Sequence, residues 1–264
     1  MHNYSGSLVE LPKKGKALII ADIHGNLTDF NKLMDIWKDF KKDDNHLVLI
    51  GDFIHAIDHD KDKSIEILES VKSNFEKDSN FHVLLGNHEW SVITSVAIYK
   101  NLEDLNSTFE FLLKQKFQDQ WQDKLKEYQH FFRKLPLAVK TGNKVFMSHS
   151  GPAKEVNSIE DVIRIKDAGY LHNQKLVELL WNRYGDYDNH DIDSFLKNVG
   201  CTAMIVGHTP VDGAKLIGEK QLILSSSLSR GNKAYIVLDL EKKIRNAKEI
   251  MKAVKFLKDR KSVV

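Results

Sequence analysis

Short apolar runs alternate with longer amphipathic stretches from the start of the chain. "KALIIAD" (16–22), "HLVLIGD" (46–52) and "FHVLLGN" (81–87) are almost continuous in apolar residues and each breaks off at a polar group, the pattern of buried strands. Between the first two, residues 26–40 set Leu27, Phe30, Leu33, Met34 and Trp37 on one side, which predicts an amphipathic helix. A second helix is expected around 63–76. This β-α-β-α-β order predicts an α/β fold with a sheet parallel at least in its first half, and functional groups at the strands' carboxyl ends.

Residues 90–135 depart from that rhythm. Phe109, Leu112, Leu113, Phe117, Trp121, Leu125, Tyr128 and Phe131 recur at three- and four-residue steps among Lys, Gln and Asp, so a helical insertion is expected, ended by Pro136. Its aromatics serve either core packing or a substrate-contacting lid, since the segment directly follows a polar strand end. "LAVKTGNKVFMSHSG" (137–151) reads as two strands joined at a Gly-Asn turn. Helices are expected at 157–167, 171–181 and 191–199, then strands in "TAMIVGH" (202–208), "QLILSSS" (221–227) and "KAYIVLDL" (233–240). Ile244, Ala247, Met251, Val254 and Leu257 then repeat at helical spacing, predicting a docked basic helix over about 241–260. With no repeat and no Pro/Ser-rich linker, residues 1–264 are expected to form one domain carrying the insertion.

Composition narrows the class. A chain of 264 residues with 42% hydrophobic content can bury a core without disulfides, and its single Cys201 fits a reducing compartment. The opening "MHNYSGSLVELPKKGK" has no secretory pattern and no run of eighteen apolar residues occurs anywhere, so a soluble, cytoplasmic protein is expected. A net charge of +2 gives no argument for a nucleic-acid partner. Neither a phosphate-cradling "GxxxxGK" loop nor a nucleophile-elbow serine is present.

The chemistry is concentrated where the apolar runs stop. Asp22 and His24 follow the first, Asp52 the second, Asn87 and His88 the third; His149 follows "VFMS" and His208 follows "MIVG". One such residue is ordinarily a cap. Five strand ends delivering carboxylates, imidazoles and an amide oxygen, without a thiolate, suit a site for Mn, Fe, Zn or Ni.

The set "DIH", "GD", "GNHE", "SHSG" and "GHTP", in this order over residues 22–210, resembles the calcineurin-like metallophosphoesterase superfamily, in its phosphoprotein-phosphatase and bacterial diadenosine-tetraphosphatase branch. That resemblance implies a four-layer αββα sandwich and a two-metal site. Asp22 and His24 would hold one ion, Asn87, His149 and His208 the other, and Asp52 would bridge both. It implies hydrolysis of phosphomonoesters, phosphoserine and phosphothreonine in proteins among them, by direct attack of a hydroxide lying between the ions. Hydrolysis of a nucleotide anhydride such as diadenosine tetraphosphate is the enzymatic alternative, and a partner-binding scaffold using the insertion is the non-enzymatic one.

Within the resemblance His88 would not coordinate but would protonate the leaving oxygen. The family's orienting carboxylate falls at His55 here, and the arginine that often follows is Ala56. Either His55 shares protons with His88, or Asp58 reaches in to orient it, or the dyad is altered. Arg183, in "LLWNRYGD", is the candidate cation for phosphate, with Arg230 in "SLSRGNK" as a second.

Overall fold

The computed structural model describes residues 4–58, 61–100 and 102–257. The apolar runs form strands buried on both faces, and alternate residues of each strand serve different cores. In β2 (Lys16–Ile20), Ala17 and Ile19 join an inter-sheet core while Leu18 and Ile20 meet helices. In β8 (Val145–Ser148), Val145 and Met147 join that same inter-sheet core and Phe146 turns outward to meet Phe195, ring centroids 5.0 Å apart.

One sheet runs in the order β13 (Val254–Phe256), β12 (Ala234–Asp239), β2, β3 (His46–Leu49), β4 (Phe81–Val83). Its β2-β3-β4 portion is parallel, with Leu18 opposite Leu47 and Val48 opposite His82. The other runs β1 (Leu8–Leu11), β7 (Ala138–Thr141), β8, β9 (Ala203–Val206), β11 (Gln221–Leu224), β10 (Ala214–Ile217), with β8 and β9 parallel. Outside the first sheet lie α1 (Leu27–Phe40) and α2 (Ser64–Lys77); outside the second, α7 (Gln174–Trp181) and α8 (Asn189–Val199). The layers are therefore α, β, β, α, the architecture that the resemblance implies. Asn26 starts α1 by accepting the Asp29 N–H (3.1 Å) on its side chain.

After α3 (Asn87–Thr94), the segment expected to be continuously helical contains a two-stranded hairpin, β5 (Tyr99–Lys100) and β6 (Glu103–Asp104). Only then come α4 (Leu105–Phe117) and α5 (Trp121–Lys134). Asp104 caps α4 through the Asn106 N–H, so the helix restarts where a capping carboxylate stands.

The C-terminal expectation needs correction. In place of a helix over about 241–260, the described residues hold one short helix, α9 (Ala247–Met251), and then strand β13, antiparallel to β12; residues 258–264 lie outside them. Ile244, just before α9, and Ala247 and Ile250 within it enter the inter-sheet core, after which the open edge of β12 offers hydrogen bonds that a continued helix would forgo. No helix among the described residues is long and apolar enough to cross a membrane.

Candidate metal centre

Where β2, β3, β4, β8 and β9 stop, the chain turns sharply and delivers polar side chains to one place. Asp22, His24, Asp52, His55 and His208 all have positive φ, between 31° and 62°. Asp and His enter this region more readily than bulky residues, yet each such position costs on the order of 1–3 kcal/mol and persists only where neighbours over-determine it. Here the Asp52 carbonyl accepts both the Ile23 and His24 N–H groups (2.8 and 3.0 Å), and the Asp22 carbonyl accepts the Leu228 N–H (3.2 Å). Close approach fixes Gly86 and Gly207. A Cβ on Gly86 would stand 2.2 Å from Asp52 Oδ1, and one on Gly207 2.3 Å from Asp22 Oδ2.

Asp52 is the hub. Its Oδ2 lies 3.3 Å from His149 Nε2, 3.7 Å from His24 Nε2 and 3.8 Å from His88 Nε2, while its Oδ1 accepts the His88 N–H (3.1 Å). Two triads result, His24-Asp52-His88 and Asp52-His149-His208, each with ligand atoms within 4.8 Å of one another. Asn87 Oδ1 joins the second at 2.8 Å from His149 Nε2. Asp22 stands beside the triads and receives the His208 backbone N–H on both carboxylate oxygens (3.1 and 2.9 Å). All six expected ligands are thus brought together and buried.

The donor set fits divalent cations. His149 Nε2 has Asn87 Oδ1, Asp52 Oδ2 and His208 Nδ1 all within 3.3 Å, more neighbours than one ring nitrogen can satisfy, and His208 Nε2 is buried with no hydrogen-bond partner among the described residues. Burial drives His24 down and His208 well down, leaving neutral imidazoles suited to coordination. Burial also raises Asp22 to about 7. Asp52 is held well below the usual carboxylate range because His149, His88 and His24 outweigh its burial. His149 moves oppositely: burial would lower it, but Asp52 and Asp22 lift it to about 9.

His88 and His55 face each other, Nδ1 to Nδ1, at 2.9 Å, so one ring donates and the other accepts. Asp58 is instead engaged by Lys61 at 2.7 Å on the exposed loop. Turn 55–56 is pinned from behind: the His55 N–H donates to Ser64 Oγ (2.8 Å) and the Ala56 N–H to Asp62 Oδ2 (3.2 Å). Arg183 stands exposed after α7, near enough for its charge to bear on His208. Arg230 is exposed on the loop whose Leu228 N–H reaches Asp22.

One buried residue escaped assignment from the motifs. Glu89, fully buried, accepts the N–H groups of Asp52 (2.9 Å), Phe53 (3.0 Å), Ile54 (3.4 Å) and Gly86 (3.0 Å), clamping the β3 loop to the start of α3. The available signal was its place three residues after Gly86, where an acid can reach back to a helix start.

The calcineurin-like phosphoesterase family model matches residues 15–212. The chain is 26% identical over 260 residues to a probable serine/threonine-protein phosphatase of Encephalitozoon cuniculi, covering 88% of this chain and 52% of that protein. It therefore spans about half the length of that relative. A serine/threonine phosphatase from Saccharomyces cerevisiae superposes with a TM-score of 0.67 at 21% identity, over 88% of this chain and 76% of the other. A cold-active protein-tyrosine phosphatase from Shewanella sp. gives 0.62 at 16% identity, over 97% and 83%. At those identities the structures testify to the fold, while the family match spans the strand-end residues from Asp22 to His208. The chain belongs to the calcineurin-like phosphoesterase family.

Proposed function

We propose that the chain hydrolyses phosphomonoesters, phosphoserine and phosphothreonine in proteins among them, with two divalent cations. The observation that carries this reading is Asp52, one carboxylate shared by two ligand triads. Asp22 and His24 would hold one ion, Asn87, His149 and His208 the other, and Asp52 both. Bound there, the ions would supply positive charge for the phosphate oxygens and a water acidic enough to attack near neutral pH.

The remaining work falls to the protein. Asp52 uses one oxygen to accept the His88 N–H, which leaves the other turned toward His24 and His149. Asn87 contributes a neutral oxygen, so the set carries two carboxylates and keeps a net positive charge once two dications are present. His88 protonates the leaving oxygen, oriented by its ring-to-ring bond with His55. Arg183 adds a cation at the rim for the phosphate.

The test is product analysis with Mn²⁺ on a phosphothreonine peptide and on diadenosine tetraphosphate in parallel, with Asp52→Asn as control. Free phosphate from the peptide, lost by at least about a hundredfold in the control, is expected. Nucleotide products from the dinucleotide alone would reassign the chain to anhydride hydrolysis, and silence on both with two ions bound would favour partner binding through the insertion. His88→Ala should lower turnover while retaining two ions; loss of an ion would make His88 a ligand, since it also stands in the first triad.

A further inference from the structure

Two cations, Lys100 and Arg183, lie within electrostatic reach of the centre, and neither side chain has an ion pair among the described residues. Lys100, half-buried on β5, is paired through its backbone with Glu103, but its ammonium makes no ion pair or hydrogen bond among the described residues, and neither does the Arg183 guanidinium, Arg183 being engaged with Asp186 through its backbone N–H and carbonyl. The hairpin carrying Lys100 is tied to the α3 end of the site. Leu105 N–H donates to the Ile98 carbonyl, and Asn106 Nδ2 to the Val96 carbonyl, while the Ser91 hydroxyl links Asn106 Oδ1 with the His88 carbonyl. The Lys100 charge is felt at His24 and His88, that of Arg183 at His208, and each cation lies within electrostatic reach of the other. Two unneutralised like charges, one of them half removed from water, are unfavourable until an anion lies between them. The loop beside Asp52 offers no competitor: residues 52–58 contain neither Lys nor Arg.

We propose that Lys100 is a substrate-binding residue whose ammonium, together with the Arg183 guanidinium, holds the non-bridging oxygens of the phosphate at the metal centre. This rests on the phosphatase reading for the bound group, but its geometry is specific to the hairpin. An ammonium on a four-carbon stem approaches as a point charge, whereas the guanidinium offers a fork, so the pair grips one phosphate from two sides by different means. Because Lys100 sits on an excursion between α3 and α4 rather than on a strand end, phosphate affinity becomes tied to the hairpin's placement.

The experiment uses the full chain loaded with two equivalents of Mn²⁺, titrated with inorganic phosphate by calorimetry, and in parallel assayed on p-nitrophenyl phosphate. Lys100→Gln should weaken phosphate binding by about ten- to a hundredfold with metal content and melting temperature unchanged. Lys100→Arg should restore most of it, and Lys126→Gln, an exposed lysine of α5, should leave it as in the parent. Phosphate affinity in Lys100→Gln within twofold of the parent overturns the proposal, as does a loss that accompanies metal loss or that Lys100→Arg fails to repair. If phosphate binds through Lys100 but no monoester is cleaved, the phosphatase reading falls and the binding role stands.

Discussion

A histidine at position 55 changes what His88 can do. Burial pushes His88 down to about 3, with Asp52 opposing that fall, and His55 brings a lone pair but no negative charge to stabilise an imidazolium. An aspartate there would favour the protonated ring, so His88 should titrate higher and carry its proton to higher pH. His55→Asp is therefore expected to raise kcat about tenfold on an alkyl phosphate, whose leaving oxygen needs a proton, and to change p-nitrophenyl phosphate turnover little. A pH-rate profile identical to the parent's would remove His55 from proton transfer. The Asp52 and His88 placements were legible because each follows an apolar run. Glu89 was not, since its role depends on the β3 loop and the α3 start approaching within hydrogen-bond reach, a tertiary event that no local pattern encodes.

At the scale of elements, the aromatic packing of the insertion reaches the site at Phe109. Phe109 of α4 meets His55 edge to face, centroids 5.6 Å apart, and lies tilted beside Tyr128 of α5, whose hydroxyl donates to Glu69 of α2. Gln129 and Arg133 of α5 donate to the carbonyls of Val92 and Ile93 in α3, so the insertion grips the helix that carries Asn87 and His88. Phe109→Ala should cost about 3–5 kcal/mol in urea denaturation and lower turnover as His55 loosens, with both ions retained. Normal turnover in that variant would limit Phe109 to packing. The helices of this region were visible in three- and four-residue spacing, whereas hairpin 99–104 was not: two-residue strands are too short for alternation to show. The C-terminal tail misled for a related reason, because Ile244, Ala247 and Met251 satisfy helical spacing over about two turns, while the path of the chain beyond Met251 is set by the edge of β12.

Across the whole molecule, the centre is drawn from both sheets: Asp22, Asp52 and Asn87 follow strands of one, His149 and His208 strands of the other. The order of residues and the parallel β2-β3-β4 core could be read from the sequence, but the division into two sheets could not, since strands buried on both faces look alike whichever sheet they enter. Ions binding at this seam stabilise only the state in which the sheets are aligned, by about 4 kcal/mol per site at a thousandfold excess over the dissociation constant. Chelation should then lower the melting midpoint by at least roughly 8 °C, and Asp52→Asn should largely erase that difference. A midpoint insensitive to chelator would mean that the sheets hold their alignment unaided. The same seam imposes an order on biosynthesis. A nascent chain that has exposed Asp22, Asp52 and Asn87 still lacks His149 and His208, so a complete pair of ion sites is withheld until the later strands have emerged and docked.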